Sequence, residues 1–219
     1  MSRKTLALVH TSSTLVPVFE RLCKEKKLDV NLVHIADSSL IEDVIQQGAL
    51  SEDTSQRVLD HLTAADQNEA DCIMVTCSSI GPAVDAAQSR FDKPVLRVDQ
   101  PLADHAIRLG DKIGVVATLS TTLVPTAELI QRRAKEVDKE IKIVTELCDG
   151  AFQALIDQDF QRHDAAVVQA VKSLAAEVDV IVLAQASMAR VFSEIDADEI
   201  GVPILSSPSL AVDYLASVL

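Results

Sequence analysis

The stretch Asp71-Cys-Ile-Met-Val-Thr-Cys-Ser-Ser-Ile-Gly-Pro82 decides the fold class of this 219-residue chain. It opens with an almost wholly apolar run, which is typical of a strand buried on both faces of a parallel sheet. Small polar residues follow, and a helix pattern opens at about Pro82. We therefore expect Cys77 where a strand ends and a helix begins. Open parallel sheets bind ligands at that edge, where the N–H groups of a helix start attract carboxylates and activate thiols.

Two parts of the chain repeat at a spacing of 108 residues. Residues 112–125 align with residues 4–17, and residues 178–188 align with residues 70–80. An offset that persists across two separate strand–loop–helix units is hard to obtain by chance. The repeat therefore indicates two homologous halves.

The repeat predicts the domain organisation. We expect an α/β fold of two pseudo-symmetric, flavodoxin-like lobes, each with a parallel sheet whose strands alternate with helices through right-handed crossovers. The first lobe comprises residues 1–98 and 208–219, and the second comprises residues 99–207. The cleft between the lobes, faced by the strand-end loops, is the predicted active site.

The composition argues against several function classes. A net charge of -13 and a pI near 4.7 argue against nucleic-acid and membrane binding, which need clustered Lys and Arg. No apolar run is long enough for a signal-peptide core or a membrane span. The four cysteines lack metal-ligand spacing, so we expect reduced thiols, no metal site and a cytoplasmic location. No Walker or GxGxxG spacing occurs, and we infer no nucleotide cofactor.

Polar, uncharged side chains dominate the predicted strand-end loops. Cys77 and Gln185 lie at symmetric positions, 108 residues apart, and His10 is the one ionisable imidazole among these loops. Neutral donors of this kind suit a small carboxylate or carbonyl compound. The predicted substrate-binding residues are Thr11, Ser12, Thr76, Ser78, Ser79, Thr118, Thr121, Thr122, Ala186 and Ser187.

The chain resembles the aspartate/glutamate racemase superfamily, which includes hydantoin racemases, maleate cis–trans isomerases and arylmalonate decarboxylases. The resemblance covers essentially the whole chain. Its most specific parts are Val75-Thr-Cys-Ser-Ser79, Gly114-Val-Val-Ala-Thr118 and Val182-Leu-Ala-Gln-Ala-Ser-Met188.

That resemblance implies a cofactor-independent enzyme. In the family, two thiols flank the α-carbon of the substrate, and one removes a proton while the other returns it to the opposite face. The positions of those thiols match Cys77 and Gln185 here. The family's carboxylate contacts come from loops that match Thr11, Ser78 and Ser79, and residues 118–122. Members often dimerise, so the resemblance allows a homo-oligomer.

Gln185 departs from the family pattern. An amide exchanges no proton near neutral pH, although it can donate a hydrogen bond to a developing oxyanion. We therefore interpret the protein as an isomerase or racemase-like enzyme with Cys77 as acid/base or nucleophile, and with Gln185 and His10 assisting. One thiol could also serve a decarboxylase-type lyase, or add to an electron-poor double bond. The alternative outside enzymes is a non-catalytic carboxylate-binding protein.

Some of these residues also have purely structural interpretations. Cys77 could be a small apolar filler, and His10 could cap a helix. Cys72 should face the other side of the sheet from Cys77 and pack in the core. We expect Arg97 and Arg190, near strand ends, to be exposed to solvent rather than to bind a second carboxylate.

Overall fold

The computed structural model describes residues 3–195 and 197–219, without the side chains of residues 192–194, 197 and 198. Its internal contacts divide the chain into two compact units. Unit 1 comprises Met1–Asp99 and Pro208–Leu219, and unit 2 comprises Gln100–Ser207. Among the described residues, no helix is both long and apolar enough to cross a membrane.

Unit 1 contains a four-stranded parallel sheet in the order β2-β1-β3-β4. Its strands are β1 (Lys4–His10), β2 (Val30–Ala36), β3 (Cys72–Val75) and β4 (Val95–Arg97). Its helices up to β4 are α1 (Val16–Glu25), α2 (Ser39–Gln47), α3 (Glu52–Gln67) and α4 (Gly81–Ala87). Short 3-10 segments cover Ser13–Leu15, Ser78–Ile80 and Gln88–Arg90. All four residues of β3 are buried, as expected of a strand covered on both faces.

Unit 2 contains a second four-stranded parallel sheet, in the order β6-β5-β7-β8. Its strands are β5 (Lys112–Ala117), β6 (Lys142–Leu147), β7 (Val180–Leu183) and β8 (Ile204–Ser206). Its helices are α5 (Gln100–Leu109), α6 (Ser120–Glu136), α7 (Ala151–Ile156), α8 (Phe160–Ala175) and α9 (Ala197–Ile200), with a 3-10 segment over Ala186–Glu194. The predicted fold class, α/β with two parallel-sheet lobes, is confirmed.

The last helix, α10 (Ser207–Val218), packs on the sheet of unit 1. Successive residues of β1 and β3 point to opposite faces of that sheet and so contribute to two separate cores. One core, on the side of α2, α3 and α4, includes Ala7, Val9, Ile73 and Val75. The other, on the side of α1 and α10, includes Leu6, Leu8, Cys72, Met74, Ala211 and Val212. Cys77 packs against the first core, so Cys72 and Cys77 lie on opposite sides as predicted.

The strand pairings show which residues of the two sheets are structurally equivalent. Leu6 pairs with Cys72 in unit 1, and Ile113 pairs with Val180 in unit 2. Cys72 and Val180 are 108 residues apart, whereas Leu6 and Ile113 are 107 apart. The offset of 108 therefore applies to β3 and β7, and β1 and β5 are offset by one residue less.

The single-residue difference is absorbed in the loop after the first strand of each unit. In unit 1 a 3-10 turn over Ser13–Leu15 separates β1 from α1, whereas in unit 2 the helix α6 begins directly at Ser120. The pairing makes Thr11 equivalent to Thr118 and His10 equivalent to Ala117.

Candidate active site

Cys77 is the one cysteine of the chain that is not buried. It follows β3 in an extended conformation (φ -133°, ψ 120°) and precedes the 3-10 turn Ser78–Ile80. Cys23, Cys72 and Cys148 are buried. Burial raises the pKa of Cys72 to about 12 and that of Cys148 to about 11, so both remain protonated at neutral pH. Cys77 is therefore the cysteine best placed to react.

Polar residues next to Cys77 are mostly buried in unit 1. Thr11, Thr76, Ser78 and Ser79 are each at most 5% exposed, so their side chains belong to the packed edge of the sheet. Ser12 is half-buried, and its hydroxyl accepts a hydrogen bond from the backbone N–H of Thr14 (3.3 Å), which caps the turn Ser13–Leu15. The Ser12 hydroxyl thus has a local structural partner.

Arg97 is buried beside the segment that follows Cys77, and the expectation that it is exposed is wrong. Its side chain is only 2% exposed. Its Nε and Nη2 donate to the two carboxylate oxygens of Asp99 (2.9 and 2.7 Å), and its Nη1 donates to Asp85 (2.7 Å). Two carboxylates compensate the buried charge, which a sequence pattern does not reveal.

Gly81, the first residue of α4, lets this guanidinium approach the backbone. A Cβ atom built on Gly81 would lie 2.3 Å from Cζ of Arg97, which is closer than any real contact. The Arg97 guanidinium therefore lies directly against the start of α4. It braces the turn that leads from Cys77 into that helix.

Gln185 occupies the corresponding strand end in unit 2. It is extended (φ -119°, ψ 138°) and precedes the 3-10 segment Ala186–Glu194. Its Oε1 accepts hydrogen bonds from the backbone N–H of Thr118 (2.6 Å) and from the Thr118 hydroxyl (3.0 Å). Because a backbone N–H can only donate, the carbonyl end of the amide must face Thr118. The Nε2 group is then left as a donor of fixed orientation.

The other predicted site residues of unit 2 surround this amide in sequence. Thr118 and Thr122 are buried, and Ala186 and Ser187 are half-buried. The Oγ1 atom of Thr121 is buried and finds no hydrogen-bond partner among the residues that the structure describes. A buried hydroxyl without a partner is unfavourable, so Thr121 is suited to bind a ligand.

Arg190 is exposed, as predicted. Its side chain is 40% exposed, its Nε lies 3.2 Å from Asp164 Oδ2, and its guanidinium stands over the ring of Phe160 at 4.1 Å.

His10 is buried at the carboxyl end of β1 and does not cap a helix. Its Nδ1 lies 2.9 Å from Thr76 Oγ1, and its Nε2 lies 2.9 Å from Nδ1 of His34. Burial, with a contribution from His34, lowers the pKa of His10 to about 4, so the imidazole is neutral at pH 7. Sequence reasoning missed His34, because its proximity depends on the pairing of β2 with β1.

Within residues 3–195 and 197–219, no cluster of three or more His, Cys, Asp or Glu side chains is arranged to hold a metal ion.

Solved structures of racemases share this fold. The chain is similar to a glutamate racemase of Bacillus anthracis, with 20% identity and a TM-score of 0.78, covering 100% of this chain and 82% of that one. It is similar to an aspartate racemase of Picrophilus torridus, with 16% identity, a TM-score of 0.69 and coverage of 98% and 94%. It is also similar to an allantoin racemase of Klebsiella pneumoniae, with 15% identity, a TM-score of 0.65 and coverage of 98% and 86%.

These identities are too low to transfer a substrate. A search of curated protein sequences gives no match. The model of the Asp/Glu/hydantoin racemase family matches residues 6–215, which is nearly the whole chain. The resemblance noted in the sequence is thereby confirmed: the chain belongs to the Asp/Glu/hydantoin racemase family.

Proposed function

We propose that the protein is a cofactor-independent enzyme of the isomerase class that acts on a small carboxylate with one reactive thiol, Cys77. Membership of the racemase family supports a racemase-like enzyme. One observation carries the finer proposal. One strand end has the only cysteine that is not buried, and its counterpart has an amide, Gln185, whose carbonyl is held by Thr118.

The proposed chemistry divides two roles between the two strand ends. The thiolate of Cys77 takes the α-proton of the substrate, which leaves an enediolate. The Nε2 group of Gln185 donates a hydrogen bond to the charge that develops on the carboxylate oxygens. The same thiol, or water, then returns a proton to the carbon. Gln185 itself neither gives nor takes a proton.

The substrate class follows from the polar groups at these strand ends. The predicted binding residues are hydroxyl groups and backbone amides, which bind an anion without adding a positive charge. Thr121, with its unpartnered hydroxyl, is a direct candidate for such a contact. Thr11, Ser78, Ser79 and Thr122 are buried and would set the shape of the site.

A decarboxylase-type reaction is the second candidate function. It needs a single proton donor, because the departing carboxyl group leaves a carbanion that one thiol can protonate. The amide at position 185 favours this option over two-thiol racemisation. Addition of the thiolate to an electron-poor double bond also needs only one thiol and is tested by the same assay.

The experiment is a set of small α-substituted and unsaturated carboxylates incubated with the enzyme in deuterated water and followed by NMR. We expect deuterium at the α-carbon of at least one acid, or loss of its carboxyl group, and neither with Cys77→Ser. Turnover that survives Cys77→Ser would contradict the thiol mechanism. Saturable binding without turnover would instead favour a carboxylate-binding protein.

A matched variant tests the role of the second strand end. Gln185→Cys places a thiol at the position that matches the family's second cysteine. We expect it to convert one-sided exchange into racemisation of the same acid. If it leaves the stereochemistry unchanged, Gln185 does not serve the reacting carbon.

The cellular setting is part of the same proposal. All four cysteines are free thiols, which supports a cytoplasmic location. A homo-oligomer stays a prediction from the resemblance.

A further inference from the structure

A chain of polar side chains crosses the sheet of unit 1 below the end of β3. Thr76 Oγ1 lies 2.9 Å from His10 Nδ1, and His10 Nε2 lies 2.9 Å from His34 Nδ1. His34 Nε2 then lies 4.0 Å from a carboxylate oxygen of Glu20. The Glu20 side chain is 59% exposed, whereas His10 is fully buried. The chain therefore leads from solvent to the residue that precedes Cys77.

The direction of these hydrogen bonds follows from one backbone contact. The Thr76 hydroxyl donates to the carbonyl of Val9 (3.2 Å), so Thr76 Oγ1 must accept from His10 Nδ1–H. His10 Nε2 then accepts from His34 Nδ1–H. His34 Nε2 is left without a proton, and it has no hydrogen-bond partner among the described residues. A proton from solvent can bind there, next to the carboxylate of Glu20.

Unit 2 shows that the fold does not need this polar chain. By strand register, the equivalents of His10 and Thr76 are Ala117 and Ala184, which are both at most 1% exposed. The same position of a parallel sheet is thus filled by two alanines in unit 2 and by a hydrogen-bonded imidazole and hydroxyl in unit 1. Burying polar groups costs stability unless they are fully paired, so a structural role alone does not explain them.

We propose that Glu20, His34, His10 and Thr76 form a proton relay that connects solvent with the reaction centre at Cys77. This inference rests on the proposed function, because one thiol without a partner thiol must exchange its proton with solvent. Thr76 and Cys77 are successive residues of an extended segment and point to opposite faces. The relay therefore delivers its proton to bound substrate or to a water molecule over the strand end.

The relay conserves protons at every step. His34 Nε2 takes a proton from solvent while His34 Nδ1 gives its proton to His10 Nε2. His10 Nδ1 gives its proton to Thr76 Oγ1, and the original hydroxyl proton of Thr76 passes to the acceptor. One proton has then crossed, and the two imidazoles have exchanged tautomers. The reverse sequence removes a proton from the reaction centre.

A test without substrate uses the buried proton on His10 Nδ1. Its exchange with solvent can be measured by NMR on protein with 15N-labelled histidine. The key variant is His34→Asn, because the asparagine side chain keeps a hydrogen bond to His10 Nε2 but cannot pass a proton. We expect exchange to slow by at least about tenfold, since a relay acts by acid–base transfer. His105→Asn, outside the relay, should leave the rate unchanged.

The opposite result is equally clear. If exchange in His34→Asn is as fast as in the wild type or faster, protons reach His10 by local opening and the relay is wrong. Glu20→Gln is a second variant that leaves both imidazoles in place, and it should slow exchange to a smaller degree. If the His34 variant does not fold, an unchanged rate in Glu20→Gln would overturn the inference.

Turnover gives a second readout once a substrate is found. His34→Asn should lower kcat about tenfold or more at unchanged KM, and added imidazole should restore part of the loss. An unchanged kcat would overturn the relay. If the wild type turns over no carboxylate at all, the proposed function fails, while the exchange measurement still decides whether the relay conducts protons.

Discussion

The two strand ends that carry Cys77 and Gln185 have nearly the same backbone and different chemistry. Both residues are extended, and both precede a 3-10 segment. In unit 1 the side chain at this position is a thiol, and in unit 2 it is an amide whose oxygen is bound by Thr118. The shared backbone sets where a group is presented, and the side chain decides whether it can exchange a proton.

The support beneath the two strand ends differs in a coupled way. Arg97 ends β4, and its equivalent by strand register at the end of β8 is Ser206. Gly81 admits the Arg97 guanidinium, and the residue 108 positions later is Ala189. A large buried cation thus occurs with a glycine, and a small hydroxyl occurs with an alanine. The strand end with the thiol is the one that is braced by a buried ion-pair cluster.

The largest expected effect is on turnover at the two strand ends. Cys77→Ser should reduce kcat by about 10³-fold or more, because an alcohol is a far weaker acid than a thiol. Gln185→Leu should reduce kcat by about 10²-fold, the loss expected for one oxyanion donor. Kinetics on the same acid measure both. If the order of the two effects is reversed, the roles given to the strand ends are wrong.

The pH dependence of stability should report His10, which has no counterpart in unit 2. The pKa of His10 is lowered from 6.5 to about 4 in the folded protein, so between these values the unfolded chain binds a proton that the folded chain does not. The contribution is complete above pH 6.5 and is lost as pH falls toward 4, which amounts to about 3 kcal/mol of unfolding free energy.

Urea unfolding across this pH range measures that loss. Burial also lowers the pKa of His34, so both imidazoles act in the same direction. In His10→Gln the decline between pH 6.5 and 4 should be much smaller. An equal decline in the variant would mean that other groups cause it.

Gly81→Ala tests the brace beneath Cys77. The new Cβ would meet the Arg97 guanidinium, which is held by Asp85 and Asp99. We expect a loss of about 2 kcal/mol in unfolding free energy from overpacking, together with slower alkylation of Cys77.

Gly114→Ala in β5 is the control in unit 2. Its Cβ would lie 3.2 Å from the side-chain ends of Leu174 and Val178, which can shift. The cost should be under about 1 kcal/mol. Equal losses in the two variants would show that the Arg97 cluster is not a rigid support.

The smallest expected effect is at the anchor of Gln185. Thr118→Val removes one of the two hydrogen bonds to Oε1 and keeps the backbone N–H bond. Thermal unfolding should show a loss of about 1 kcal/mol. Thr11→Val, at the equivalent position of unit 1, is the matched control for the change in shape. A large drop in kcat for Thr118→Val alone would show that the orientation of the amide controls the reaction.

The sequence predicts much of the fold because its signals are local. The apolar run of β3 and its repeat at β7 require only the properties of neighbouring residues, and both strands occur where they are predicted. The register of β1 against β5 differs by one residue because a turn in one loop absorbs the shift. Identities such as Lys4 with Lys112 do not report that turn.

The contacts around the site were not predictable from the sequence, because they join distant segments. His34 reaches His10 only because β2 lies next to β1. Arg97 is buried because Asp85 and Asp99 converge on it. An arginine near a strand end is usually solvated, and only the tertiary structure reveals the compensating carboxylates.

The central claim is that the thiol of Cys77 is the reactive group of a carboxylate site. The most direct test is to alkylate the native protein with iodoacetamide and to measure the modification rate of each cysteine by mass spectrometry, with and without small carboxylates. The account predicts that Cys77 reacts at least about tenfold faster than Cys23, Cys72 and Cys148, since reactivity follows exposure and thiolate content. It also predicts that at least one carboxylate protects Cys77. If Cys77 reacts no faster than the buried cysteines, or if no carboxylate slows it, the single-thiol account is contradicted.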